Sequence, residues 1–578
     1  MTMTDSPPAA DTALAATSPR VVGLFDALTT TDHKRIGRLW LRSGLLGLLA
    51  ATLLGVVLTI ENSNSSPDDI FGGINSFFQY FNLYRFGLVL LVVAPLFVGL
   101  ATVVVPMQVG ATNIAFPRAA HGAVWLFMIG STITVVSVVS DGGWGALDGV
   151  TGTERDAIAL TLVGTGLVIF ALLMASVCIA TTVVSLRTAG MNLLRVPLFA
   201  WSMLVATSVW LLTLPVALAN LVLVYFDLRG GPASLMGSGT DPRFGDAQGS
   251  DAIYAQIAWL VEQPQIYAFA IPVLGVLGTI APVVAKRRHA QHVVAVALIG
   301  LFGLLSVGGW SQPWFQGNNY DEKFVFIVFG LFAAIPVFGS IGAAADTIVG
   351  RSSDSDTDSA VSASGESGFA GLLSVYGLAA IGAALLLLAG TVVGLARVVQ
   401  PWDLGARTTV TSVMNLVLFS AVAAAIAGIW FWAPKIGGHE LAVSTGRLIV
   451  LDIVAGAVLL GGADFVSGFF EAPAFGYHVA GSSAPLPSEP SNQGFVEVMN
   501  VVGTIGAVLI ALGVLGVFAA IAKAMRSSDG VDDNPYGGQT LEWTTSSPPP
   551  PGNFSEPPER VVSEAPLLDT VNEDGEEA

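Results

Sequence analysis

Charge is what this sequence has least of. Asp, Glu, Lys and Arg make up only 11% of its 578 residues, while 53% are hydrophobic; an ordinary soluble domain carries roughly 25% charged residues. Such a chain cannot cover a soluble globule with a hydrated surface, so its main solvent is lipid. Cysteine is almost missing as well. Cys178 stands alone, which excludes a disulfide within the chain, and its apolar surroundings point to packing rather than to a reactive thiol. Basic residues are outnumbered, 24 Lys and Arg against 42 Asp and Glu. That sign argues against a nucleic-acid partner. No phosphate loop, HExxH, CxxC or serine-hydrolase motif stands in a credible context, and Gly-rich stretches inside apolar helices are not nucleotide loops. The first residues lack a short apolar stretch with a cleavage site, so no signal peptide is expected.

Long apolar runs are what the sequence does have. Stretches suited to a spanning helix of about 20 residues lie near 41–60, 86–105, 122–140, 157–186, 196–226 and 253–284. Six more lie near 292–311, 324–349, 369–396, 409–432, 446–470 and 497–522. Unbroken runs do not suit β-barrel strands of about ten alternating residues. The fold class is therefore all-α integral membrane, with about twelve transmembrane helices. With the N-terminus inside, seventeen Lys and Arg fall on the cytoplasmic side and seven, Arg85 among them, on the other. This is the asymmetry of the positive-inside rule. It places both termini in the cytoplasm, and a bacterial plasma membrane is the expected setting, with membrane lipid as partner. Residues 1–28 read as a disordered lead, 29–525 as one membrane domain, and 526–578 as an acidic, Pro-rich tail that is disordered or extended over a partner.

Several strings resemble haem-copper oxidase subunit I of the cytochrome c oxidase type. Thr31-Asp32-His33-Lys34-Arg35-Ile36-Gly37 is similar to the family motif before its first helix. Pro106-Met107-Gln108-Val109-Gly110-Ala111-Thr112-Asn113 and the following Ile114 to Arg118 resemble the segment between its second and third helices. Trp432-Ala433-Pro434-Lys435 looks like the end of the tenth helix. Asn534 to Trp543 and Pro548 to Phe554 look like the post-helix signature, in family order. The resemblance implies a subunit I-like bundle whose helices enclose three pores, and a family chemistry built on two haems and copper B.

The resemblance also implies six histidine ligands, since buried iron and copper need fixed imidazole donors. The six histidines here are His33, His121, His289, His292, His439 and His478, all at span ends or in loops. At the matched ligand positions stand Tyr84, Gln263, Gln312, Pro313, Ser412 and Met414. At the matched proton-path positions stand Asn113 for an aspartate, Gln265 for a glutamate and Ser340 for a lysine. Ala474 and Phe475 replace paired arginines. Tyr267 matches the family tyrosine. No cofactor is expected on this reading, although the family would carry two haems and copper.

Three functions stay open. The first is a catalytically inactive structural or assembly subunit, partnered by other respiratory oxidase subunits. The second is an active terminal oxidase, carrying electrons from cytochrome c to O2 with unconventional ligands, because Tyr and Met ligate haem in some proteins. The plain alternative for Tyr84 and Met414 is an aromatic ring and a thioether filling space. The third is a transporter using the intramembrane carboxylates Glu262, Asp452 and Asp464, which are costly in lipid and usually functional.

Overall fold

The computed structural model describes residues 29–63, 74–140, 152–229, 266–306, 331–350, 371–397, 407–472, 490–527 and 530–569, with a few positions between them. Twelve helices traverse the bundle among these residues. They are α1 (His33–Ser63), α2 (Ser76–Gln108), α3 (Pro117–Val139), α4 (Arg155–Ser185), α5 (Leu198–Phe226) and α6 (Tyr267–Ala285). They continue as α7 (His292–Ser306), α8 (Ala334–Val349), α9 (Val375–Ala396), α10 (Thr409–Phe431), α11 (Val443–Phe469) and α12 (Gln493–Ala524). Ten are long and apolar enough to cross a membrane, and α7 and α8 are shorter apolar helices. This is the all-α membrane bundle that the hydropathy implies. The lead over 1–28 and Glu262, Gln263, Gln265, Gln312, Pro313, Ala474, Phe475 and His478 lie outside the described residues.

Three helices form the interior. The central windows of α2, α6 and α10 are 94%, 94% and 100% buried, against 39–61% for the other long helices. The rest pack around them in sequence, and α12 returns to α1 to close the ring. Large apolar side chains such as Leu46, Leu212, Leu304 and Leu451 point outward, as a lipid-facing surface requires. Hydropathy could not separate inner from outer helices, because lipid tails are as apolar as the protein interior.

Within α2 the hydrogen bonding slips to a π turn over Gly87–Val93 before resuming as α-helix at Ala94. Such a turn inserts one residue into the helical register. It sits directly after Tyr84, Arg85 and Phe86, and so sets how that trio faces the core. Arg85 in this stretch is fully buried.

Lipid supplies no hydrophobic drive between helices, so close backbone approach matters. At the α11–α12 crossing, a Cβ on Gly456 would lie 2.5 Å from the Gly506 carbonyl oxygen, and one on Gly506 would lie 2.6 Å from that of Gly456. Gly130 and Gly164 make a similar crossing of α3 on α4. Gly87, by contrast, has no neighbour within 4 Å of a built Cβ. Gly506→Val is expected to destabilise the bundle by about 1–3 kcal/mol through overpacking, while Gly87→Ala leaves it intact. Thermal unfolding of the two variants in detergent checks this; equal midpoints would remove the crossing as a determinant.

Candidate functional site

Two of the inner helices, α2 and α10, meet α11 where the matched haem-ligand positions fall. Tyr84 on α2 donates to Asn415 Oδ1 at 3.4 Å, and Asn415 Nδ2 donates to Asp464 Oδ2 at 3.1 Å. Ser412 Oγ donates to the Gly461 carbonyl at 2.6 Å. Arg85 Nε donates to Met414 Sδ at 3.3 Å, and its guanidinium lies 5.7 Å from the Phe81 ring centre. Burying a guanidinium is costly unless it finds partners, and the sulfur and ring contacts offset part of that. The sequence alone does not single out Arg85 or Asn415. An Asn in the middle of an otherwise apolar helix was the available signal.

The other predicted residues scatter. Tyr267, at the start of α6, donates to the Gly390 carbonyl at 3.3 Å. Ser340 is buried on α8, and its hydroxyl has no hydrogen-bond partner among the described residues. Asn113 donates to the Thr31 carbonyl at 3.0 Å and accepts from Ile114 N–H, which ties the α2–α3 loop to the segment before α1. Asp452 is half-buried beside Gly513 of α12. It lies twelve residues from Asp464 on α11, a rise of about 18 Å, so these carboxylates do not converge.

Haem iron needs two facing axial donors or one donor and an open face, and copper B needs clustered imidazoles. At the described ligand positions, Tyr84, Ser412 and Met414 are engaged with Asn415, Gly461 and Arg85. Among the described residues, no three His, Cys, Asp or Glu side chains stand close enough to hold a metal ion. These side chains do not fit the family's histidine ligation.

A second polar assembly covers the end of the bundle at which α1 begins and α12 ends. The tail does not run free: residues 530–569 pack across this end. Both ring nitrogens of His33 lie 2.8 Å from oxygens, those of Thr102 and Asn553. Lys34 donates to Asn553 Oδ1 and the Pro550 carbonyl, and Asn553 Nδ2 donates to the Ala111 carbonyl. Lys435 Nζ donates to the carbonyls of Asp533 and Thr545 and lies 5.2 Å from the Trp543 ring centre. Burial pushes the Lys435 ammonium down to about 8, against the attraction of Asp533 and Glu542. Farther along, Val561 N–H donates to the Ala189 carbonyl, and Arg288 pairs with Asp569 at 2.5 Å and donates to Ser563 Oγ. Gly190, at φ +84°, lies under this crossing, where a Cβ would strike the Val561 carbonyl.

Where the tail crosses the α6–α7 loop, His289, His292, Gln539, Thr540 and Glu564 line a small cavity. Burial, with the nearby His292 adding to it, pushes the His289 imidazole down to about 4, while Asp346 opposes the shift. Its Nδ1 accepts from Gln291 N–H at 3.2 Å. A depressed imidazole contributes stability above the free value near 6.5 and loses it as pH falls through about 4. His289→Gln is therefore expected to flatten the acid side of the stability profile between those values. Unfolding midpoints from pH 7 to pH 4 test this, and an unchanged profile would refute it.

The comparisons with known proteins agree with this architecture. The sequence model described as Cytochrome C and Quinol oxidase polypeptide I matches residues 35–509. Cytochrome c oxidase subunit 1 of Bacillus subtilis is 26% identical, over 94% of this chain and 83% of its own length. Its counterpart from Bacillus sp. strain PS3 is 25% identical, over 93% and 82%. Among solved structures, a chain of a heme-copper terminal oxidase dimer determined by cryo-electron microscopy superposes with TM-score 0.64 at 14% identity. That match covers 93% of this chain and 89% of the other, and shows the fold.

These findings overturn one expectation. The absence of cofactors inferred from the missing histidines is corrected, because the family and its heme-copper structural relative indicate haem and copper as the cofactors. The described residues supply no histidine for either group at the matched positions, and none of the chemistry below runs through them. The match over most of its length makes this chain a member of the cytochrome c and quinol oxidase polypeptide I family.

Proposed function

We propose that this chain is a structural or assembly subunit of an aerobic respiratory complex rather than the site at which that complex reduces O2. One observation carries the reading. At the matched ligand positions of α2 and α10 the side chains bond to one another and to α11, through Tyr84, Asn415 and Asp464, Ser412 and Gly461, and Arg85 and Met414. Hydrogen bonds between helices hold a bundle together; a redox centre needs those faces free for its ligands. The polar tail end supports the same reading, as a shaped surface suited to other oxidase subunits. The charge asymmetry of the loops supports a cytoplasmic position for this surface, in a chain we read as resident in a bacterial plasma membrane.

The family favours a second reading, an active terminal oxidase with unconventional ligands. Met414 and Tyr84 are buried on facing helices, and both residue types ligate haem elsewhere.

Affinity purification from native membranes is expected to recover respiratory oxidase subunits with this chain. In that preparation, Met414→Leu and Tyr84→Phe are expected to leave O2 uptake from reduced cytochrome c unchanged. Uptake that falls tenfold or more in Met414→Leu, with subunit composition unaltered, would replace the first reading by the second. Recovery of no respiratory subunit would count against both.

A further inference from the structure

The tail buries Glu542 against the bundle in the single turn Leu541–Trp543. Glu542 is fully buried, as are Gln108 at the end of α2 and Trp432 after α10. Glu542 Oε1 accepts two hydrogen bonds, from Gln108 Nε2 at 2.9 Å and from Trp432 Nε1 at 3.1 Å. Two oxygens in this assembly have no partner among the described residues: Glu542 Oε2 and Gln108 Oε1. They belong to the two side chains already joined through their other atoms. A carboxylate and an amide cannot satisfy both, since each of these oxygens only accepts. A carboxylic acid can. Its hydroxyl donates to the amide oxygen while its carbonyl accepts from the amide nitrogen, and the two groups close a ring.

We propose that Glu542 is held as the neutral acid in a two-bond pair with Gln108, and that this proton latches the tail to the bundle and is given up as pH rises. The surroundings agree. Lys435 is the cation that faces this turn, from the short helix Ala433–Gly437, and it directs its donors to the carbonyls of Asp533 and Thr545. No ion pair joins Lys435 to Glu542 among the described residues. From α2 the facing group is Gln108, and from the end of α10 it is the Trp432 indole. His33 and Lys34 at the start of α1 turn to Asn553 instead. Asp533 is the other tail carboxylate beside Lys435, and it accepts from Ser547 N–H. Burial pushes the Glu542 carboxyl above its ordinary value, with the bonds from Gln108, Thr540 and Trp432 pulling the other way. A raised carboxyl contributes stability that is complete below the free value and lost as pH rises through the folded one. The latch therefore weakens as pH rises.

Infrared difference spectra of the purified full chain against Glu542→Gln test the assignment. At pH 7 the wild type is expected to show a carboxylic-acid C=O band that the variant lacks, and that band should titrate away as pH rises. Limited proteolysis of residues 530–569 should accelerate by about tenfold per pH unit above that titration. It should stay slow in Glu542→Gln, whose amide is always neutral and still donates to Gln108. If Glu542→Gln does not fold, Gln108→Leu removes the acceptor, and the wild-type acid band should move to higher frequency. The same spectrum for wild type and Glu542→Gln at pH 7, cleavage equal in both as pH rises, or an unshifted band in Gln108→Leu would each overturn the proposal.

Discussion

Everything in this bundle depends on the contact of backbone with backbone between helices that share an apolar solvent. A leucine gains nothing by leaving lipid for protein, so the hydrophobic effect cannot hold the twelve helices side by side. What remains is dispersion at short range, and glycine pairs bring the axes close enough to use it. Gly456 on Gly506 and Gly130 on Gly164 are the clearest cases. Once the outer helices are set at that spacing, α2, α6 and α10 have no lipid to face, and their side chains must satisfy one another.

The same constraint explains how polar groups are arranged. Hydroxyls inside the spans bond back to the preceding turn, as Thr102 does to Val98 and Thr391 to Leu387. This satisfies most hydroxyls in the low-dielectric interior, with Ser340 on α8 an exception among the described residues. Other groups reach across helices, at α11 through Ser412 and Asn415 and elsewhere as Ser137 to Thr161, Tyr267 to Gly390 and Thr504 to Thr59. At the aqueous end the balance changes, and the tail supplies acceptors to His33, Lys34, Lys435 and Arg288 that the helices cannot provide for themselves. The groups that make stability respond to pH, His289 on the acid side and Glu542 as pH rises, both belong to this end.

Spanning helices were legible in the sequence because each needs only length and apolarity, and family membership because strings such as Pro106 to Arg118 stand in family order. The interior position of α2, α6 and α10 was not legible, since hydropathy is blind to whether the neighbour is lipid or protein. The links from Tyr84 to Asp464 through Asn415, and from Gln108 to Glu542, join residues hundreds of positions apart. No local pattern announces them. Histidine counting reached too far when it excluded the cofactors that the family indicates.

The tail's contacts have a consequence for how the chain is made. His33 opens the first helix, yet its partner Asn553 comes 520 residues later, and Val561 closes on the α4–α5 loop at Ala189. A ribosome delivering this chain into a membrane must therefore insert every helix before the end plate can lock. Until then His33, Lys34 and Gln108 stand without their final partners at the membrane surface. Maturation of the bundle ends with a single late docking event, and a translation stop just after α12 would leave a full set of spans with an unsealed end for quality control to recognise.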